Sequence, residues 1–297
     1  MRREIRDGKT DPSCSSITRR FRKTHYFPEC SRFDLRRRIC LKALQQPAEQ
    51  VNVRLLIITI ALSAFGTIAA GAQLSPSDQA AVERYRSAIK SAELGSSYRG
   101  IEAAFSALVS VREALMRVRD GHTTALESLT NEEFTRLGRE LPGVLLNRNE
   151  VVFVELDPDY FVKLAATRGD GADRAFFAAL KATYPKSVWP VYIDQQTDYG
   201  GCTRFGSMSL VETYRAWSGF RQKYPDRYAD GAKKEIDAVL ASLTESTCAC
   251  GDRAGVEREL ERFRLSFPTS PARDGVARRL QALRGGRSDI RTSCVAG

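Results

Sequence analysis

Past position 72, few side chains could do chemistry. They are four cysteines (Cys202, Cys248, Cys250 and Cys294), one histidine (His122), and a loop at 184–206 dense in aromatic and polar residues. Four thiols can hold a metal, exchange electrons or close two bridges. The Cys248-x-Cys250 spacing is not that of the usual zinc pair, and His122 is far from any cysteine in sequence. An even cysteine count in an exported chain favours two disulfides. A bridge from Cys248 to Cys250 across one residue is hard to build. Each is therefore expected to pair elsewhere, one with Cys202 and one with Cys294. Such a pairing ties a mid-chain loop, a helix–helix corner and the C-terminal tail together.

The search for catalysis yields little. The chain contains no G-x-S-x-G, GxxxxGK[ST], H-E-x-x-H or GxGxxG, so nucleophile elbows, phosphate loops and zinc-protease helices are not indicated. His122 sits in the polar break "RDGHTTALE" with no nucleophile near it, and it reads as a turn residue. Glu132 and Glu133 follow Thr130 in a capping-box pattern. Asp157 and Asp159 flank Pro158 at a helix start, where carboxylates cap free N–H groups. No catalytic residue, metal or cofactor is assigned.

The loop is the stronger candidate. "KSVWPVYIDQQTDYGGCTRFG", residues 186–206, has no helical period. Long irregular loops inside a compact domain are often functional. Trp189, Tyr192, Asp194, Asp198, Tyr199 and Arg204 form the candidate binding set, since aromatics among polar neighbours suit a protein or glycan contact. The competing expectation is that these aromatics cap the core while Cys202 staples the loop down.

The elements that must position this loop read as mostly helical. Ser75-Pro76 opens a first helix, Ser as cap and Pro at its first position. A second runs over 98–119 until Asp120-Gly121, and a third from Thr130 to Leu141. "EVVFVEL", Glu150–Leu156, is the one strand-like run. Helices follow to Arg168, over 173–184, and again at 210–223, 226–243, 253–266 and 271–284. The tail 285–297 is irregular. The fold class expected is all-α, a helical bundle or a short array of helix pairs with one short strand-like segment and two disulfides.

One helix ending recurs: Phe134-Leu137-Leu141-Pro142, Phe177-Leu180-Tyr184-Pro185, Trp217-Phe220-Tyr224-Pro225 and Leu260-Phe263-Phe267-Pro268. The prolines are 43, 40 and 43 residues apart. The i, i+3, i+7 spacing places three large residues on one face, and Pro stops the helix. Over residues 209–283 these endings precede small-residue helices, "YADGAKKEIDAVLASL" and "PARDGVARRLQAL". This stretch resembles tetratricopeptide-like repeats of bacterial cell-envelope proteins, though the spacing exceeds 34 and the full tryptophan–glycine–tyrosine pattern is absent. The resemblance implies stacked helix pairs over 207–284, beside a helical domain over 73–206.

Where the chain works is indicated by its first quarter. Leu55–Ala72 carries no charge, follows Arg54 and ends in the triplet Ala70-Gly71-Ala72. That is the order of an export signal with its cleavage site over 51–72. The alternatives are an uncleaved N-terminal anchor at the lower edge of spanning length, or a core helix. Residues 1–50 are basic and aperiodic, with a start at Val51 or Val53 as one reading and a cytoplasmic tail as the other. Residues 1–72 hold 14 of the 46 Lys+Arg and 6 of the 36 Asp+Glu, so +8 of the +10 formal charge lies there. The remainder holds 32 and 30, a balance of +2 that offers no field for nucleic acid. The expectation is a bacterial periplasmic or secreted interaction module whose partner is a protein or cell-envelope component, with membrane contact only if the 55–72 segment is uncleaved. The alternatives are an envelope hydrolase acting through carboxylates and an inhibitor or immunity-type protein.

Overall fold

The computed structural model describes residues 74–95, 99–119, 121–185, 188–197 and 200–294. The basic extension and the 51–72 signal-like run lie outside them. Among the described residues there are nine helices and three short antiparallel strand pairs, and no helix is long and apolar enough to cross a membrane.

Local chemistry sets most helix starts. α1 (Pro76–Leu94) has Ser75 accepting from Asp78 N and Pro76 in its first turn, and it ends at left-handed Gly95. α3 (Asn131–Glu140) begins in the capping box of Thr130 and Glu133, and α4 (Pro158–Arg168) on the Asp157 carboxylate. α5 (Gly171–Thr183) starts two residues before the expected Asp173. Asp170 takes the cap, and Asp173 closes a second capping box from inside the first turn. α2 (Gly100–Leu115) ends short of Arg119, because Val118–Arg119 (β1) pairs with Thr123–Thr124 (β2). α6 (Ser209–Lys223), α7 (Ala229–Thr244), α8 (Arg253–Ser266) and α9 (Arg273–Arg284) complete the set. α7 starts three residues after the expected Asp226, since Tyr228 stands at φ 50 and cannot lie inside the helix.

The recurring helix ending is one backbone geometry used four times. The C-cap residues Leu141, Tyr184, Tyr224 and Phe267 have φ of −116, −122, −134 and −130 and ψ of 70, 70, 67 and 67. Each precedes a proline, whose ring excludes the helical region for the residue before it.

The expectation of a single strand-like segment is corrected. β4 (Val152–Leu156) falls where the β-branched run lies, but it pairs with β3 (Val144–Arg148) from Val144↔Leu156 to Arg148↔Val152. The segment expected to be irregular holds a hairpin, β5 (Ile193–Thr197) and β6 (Gly200–Thr203). It buries little apolar surface on either face, so it carries no alternation to read.

Helices pack in sequential pairs: α1 on α2, α4 on α5, α6 on α7, α8 on α9. α6 also packs on α8 and α7 on α9, so the last two hairpins lie side by side in the same sense. Two hydrophobic clusters result. The first gathers α1, α2, α4, α5 and the C-terminal half of α6, around Phe161, Phe176, Phe177 and Trp217. The second gathers the N-terminal half of α6 and the C-terminal half of α7 with α8, α9 and the hairpin root, around Leu210, Tyr214, Leu260 and Phe263. Ile236 on α7 packs against both.

Candidate interaction site

The hairpin is anchored before it begins. Val191 N–H donates to Thr183 O at 2.7 Å and Ile193 N–H to Pro190 O at 2.8 Å, bending the chain out of α5 into β5. Asp194 stands opposite Cys202 and Gln195 opposite Gly201, with an irregularity before Thr197↔Gly200. A side chain at Gly201 would place its Cβ 2.3 Å from Asp194 O, so the close turn admits only glycine there.

β6 is not the last strand of this ribbon. Thr203 N–H donates to Cys248 O and Thr203 O accepts from Cys250 N–H, both at 2.9 Å. The 247–249 corner in turn exchanges bonds with Arg291 at 2.9 and 2.8 Å. Four segments therefore lie side by side: β5, β6, the corner after α7, and the tail after α9. Two cystines lock them. Cys202 pairs with Cys250 and Cys248 with Cys294, with Cα separations of 5.1 and 5.8 Å, within the usual cystine range. Gln196 Nε2 adds bonds to Cys202 Sγ at 3.1 Å and Cys294 O at 2.8 Å. The expected exclusion of a Cys248–Cys250 bridge holds, and each of the two takes a different partner.

The six candidate binding residues fall into three groups. Asp194 and Arg204 are both exposed near the root of the hairpin, where Arg204 N–H donates to Tyr192 O. Trp189 is half-buried, and Tyr192, at 2 % exposure, is part of the second core cluster. Tyr192 therefore roots the hairpin and offers no contact surface. Asp198 and Tyr199, at the hairpin tip, lie outside the described residues. His122 is exposed in the turn between β1 and β2.

Beneath the hairpin root lies a polar seam that motif reasoning missed. Tyr184 OH donates to Glu235 Oε2 at 3.0 Å, and Arg112 pairs with Glu155 at 2.8 Å. Burial pushes the Glu235 carboxyl up, and nearby Glu155 adds to this against the opposing Lys234 charge and Tyr184 hydroxyl. Glu155 is likewise raised by burial, against the pull of Arg112 and Lys234. The Lys234 amine is lowered by desolvation and by Arg112. Lys234 exposes much of its surface, so crowding on one side and not enclosure weakens its hydration. Burial also raises the Tyr184 and Tyr192 hydroxyls, helped by the Glu235 charge. One sequence signal could have found this seam. Glu235 stands on the buried stripe of α7, with Ala232, Val239 and Leu243, where an apolar residue is expected.

A second buried network joins the hairpins. Arg227, 7 % exposed, binds Glu102 at 2.6 Å, Asp170 at 2.5 Å and Asp173 at 2.7 Å. Tyr228 OH donates to the same Asp173 oxygen at 2.7 Å. For the Asp170 carboxyl, burial opposes ionisation, but the Arg227 guanidinium and backbone N–H donors outweigh it and hold the group below its usual range. Every polar group here has a structural partner, so this network reads as a joint. Among the described residues, one group could hold a metal, namely Asp194 with the Cys202 and Cys250 sulfurs. In this oxidised form those sulfurs are bonded to each other.

Comparison with protein-family models, curated proteins and solved structures finds no match for the chain.

Proposed function

We propose that the protein is an exported, non-enzymatic interaction module in which a short stack of helix pairs presents the β5–β6 hairpin to a protein or cell-envelope partner. The observation that carries this reading is the double staple. Two cystines and Gln196 fix a polar, partly exposed strand pair onto a helical base. A surface ordered in advance loses less conformational entropy on binding, and the apolar core beneath does not need the hairpin's exposed residues. Asp194 and Arg204 supply opposite charges near its root, and Trp189 an aromatic flank. Cystines are kept in oxidising compartments, which agrees with the signal-like run at 51–72. The side-by-side packing of α6–α7 and α8–α9 supports the helix-pair reading of 207–284.

The test is recovery of partners from envelope extract with wild type, Trp189→Ala and the charge reversals Asp194→Lys and Arg204→Glu. Specific partners are expected with wild type and lost with the variants. Equal recovery from all four discards the hairpin as the contact surface.

A second reading has one specific observation behind it. Glu155 and Glu235 are neighbouring carboxylates, both pushed up by burial, with Lys234 between their influences. General-acid chemistry on glycans uses one carboxyl with a raised pKa beside a second carboxylate that stays ionised. Release of soluble fragments from peptidoglycan by wild type, abolished in Glu155→Gln and Glu235→Gln, would favour it over the interaction module.

A further inference from the structure

The sulfur face of the hairpin brings together three ligand residues, one carboxylate and two sulfurs, on a backbone that hydrogen bonds hold in addition to the cystine. Asp194, Cys202 and Cys250 each offer one ligand atom, and the three atoms lie within 4.8 Å of one another. Asp194 stands directly across the ladder from Cys202. Thr203, next to Cys202, is bonded through both its backbone groups to the chain on either side of Ala249. Breaking the S–S bond therefore leaves Cys202 and Cys250 on adjacent, hydrogen-bonded segments with Cα atoms 5.1 Å apart. A tetrahedral zinc with Zn–S distances of about 2.3 Å sets its two thiolates roughly 3.8 Å apart. Side-chain rotation within that backbone separation reaches this spacing.

We propose that, when the Cys202–Cys250 cystine is reduced, Asp194, Cys202 and Cys250 bind a zinc-class divalent cation, which then holds the hairpin to the 248–250 corner in place of the covalent bond. The redox step is a two-electron exchange with a dithiol reductant. The reductant's two thiols lose two electrons and two protons and close to a disulfide. The protein's S–S bond breaks, and each sulfur takes one proton. Metal binding then displaces both thiol protons to solvent, since the thiolate is the ligand. Two thiolates select a zinc-class ion over magnesium or calcium, which prefer all-oxygen sites. A water completes the fourth position, and Gln196 Nε2, already 3.1 Å from Cys202 Sγ, donates a hydrogen bond to the thiolate.

The experiment uses the full chain in nonionic detergent, with Cys14→Ser, Cys30→Ser and Cys40→Ser to remove the extension's thiols. The oxidised and dithiol-reduced forms are titrated with cobalt(II) under nitrogen. The reduced form is expected to bind one cobalt per chain, with a thiolate-to-cobalt charge-transfer band and tetrahedral d–d bands. The oxidised form should give none. Asp194→Asn should weaken binding by about tenfold or more, while Cys248→Ser with Cys294→Ser leaves the site intact. Amide exchange at Gly200–Thr203 should speed up on reduction and slow again with metal, with unchanged protection in α8 reporting that the helices stay folded. The proposal is overturned if the reduced chain gives no thiolate–cobalt band. It is equally overturned if Asp194→Asn binds as tightly as the parent, or if the band requires Cys248 and Cys294.

Discussion

Glu259 gives the sharpest test of how the helix pairs are joined. It stands on the buried stripe of α8 at 0 % exposure. Its Oε2 accepts from Gly206 N–H at 2.6 Å and Met208 N–H at 3.0 Å, and its Oε1 from Leu210 N–H at 3.1 Å. Met208 is the N-cap of α6, lies at φ 67, and offers no side-chain cap of its own. Gly206, at φ 87, lets the chain pass close to Gly255, where a Cβ would meet the neighbouring Cα at 2.8 Å. The carboxylate from α8 thus does the capping that α6's own sequence does not. Glu259→Ala leaves these donors unpartnered, at about 1–3 kcal/mol for each one that stays dry. Water entering the space offsets part of that, so a loss of about 3–5 kcal/mol is expected, a large share of a typical domain's stability. Glu259→Gln can keep its carbonyl oxygen for Gly206 and Met208 but turns an N–H₂ toward Leu210 N–H, and should lose about 1–3 kcal/mol. Urea unfolding under non-reducing conditions, followed by the fluorescence of buried Trp217, measures both. A loss below about 1 kcal/mol for Glu259→Ala, or identical losses for the two variants, would refute the capping role.

The other predictions concern the remaining joints. Arg227→Ala strands three carboxylates around a buried site and should cost about 3–5 kcal/mol, whereas Tyr228→Phe, which removes one donor to Asp173, should cost about 1–2 kcal/mol in the same assay. Glu235 titrates above its unfolded value of 4.5 because the folded state buries it. The folded protein therefore holds that proton more tightly, and stability of wild type relative to Glu235→Gln should fall as pH rises from 4.5 through the folded pKa. A pH-independent difference between the two would contradict this. The two cystines close loops of 48 and 46 residues that overlap only at 248–250. Their chain-entropy contributions, about 4 kcal/mol each as an upper figure, should therefore nearly add. Single and double serine replacements compared by urea unfolding check the additivity.

Local signals in this chain were legible because their physics is local. Ser75, Thr130 with Glu133, and Asp157 with Pro158 each start a helix where the residues say so. The four proline-terminated endings share one backbone geometry, and the short distance between Cys248 and Cys250 forced their bonds elsewhere. What could not be read was supplied from a distance. The β5–β6 hairpin is polar, two-faced and held by bonds to the segments at 248–250 and 291–294, so no period within 193–203 marks it. Of the candidate binding residues, Tyr192 is taken up by the second core and leaves no ring to present. Alternation along a short polar strand does not say which face meets a core contributed by other helices.

The least legible feature is also the most systematic. Charges on or beside buried helical stripes look like defects in an apolar pattern, yet three of them, half-buried Glu102 and buried Glu259 and Arg279, close the ends of helices in other pairs. Glu102 on α2 accepts from Tyr228 N–H at 2.6 Å at the start of α7. Glu259 on α8 does the same for α6. Arg279 on α9 donates to Leu243 O at 2.8 Å and Ser246 O at 2.7 Å, at and just beyond the end of α7. The signs match the helix dipole, carboxylate at an N-terminus and guanidinium at a C-terminus. The N-cap residues they serve, Met208 and Tyr228, lie at φ 67 and φ 50 and have no capping side chain. A left-handed non-glycine residue costs about 1 kcal/mol or more, so these starts hold together only when the neighbouring pair is docked. Apolar contact alone would let stacked helix pairs slide by a turn. A buried charge that must meet one particular helix end favours a single register of the stack.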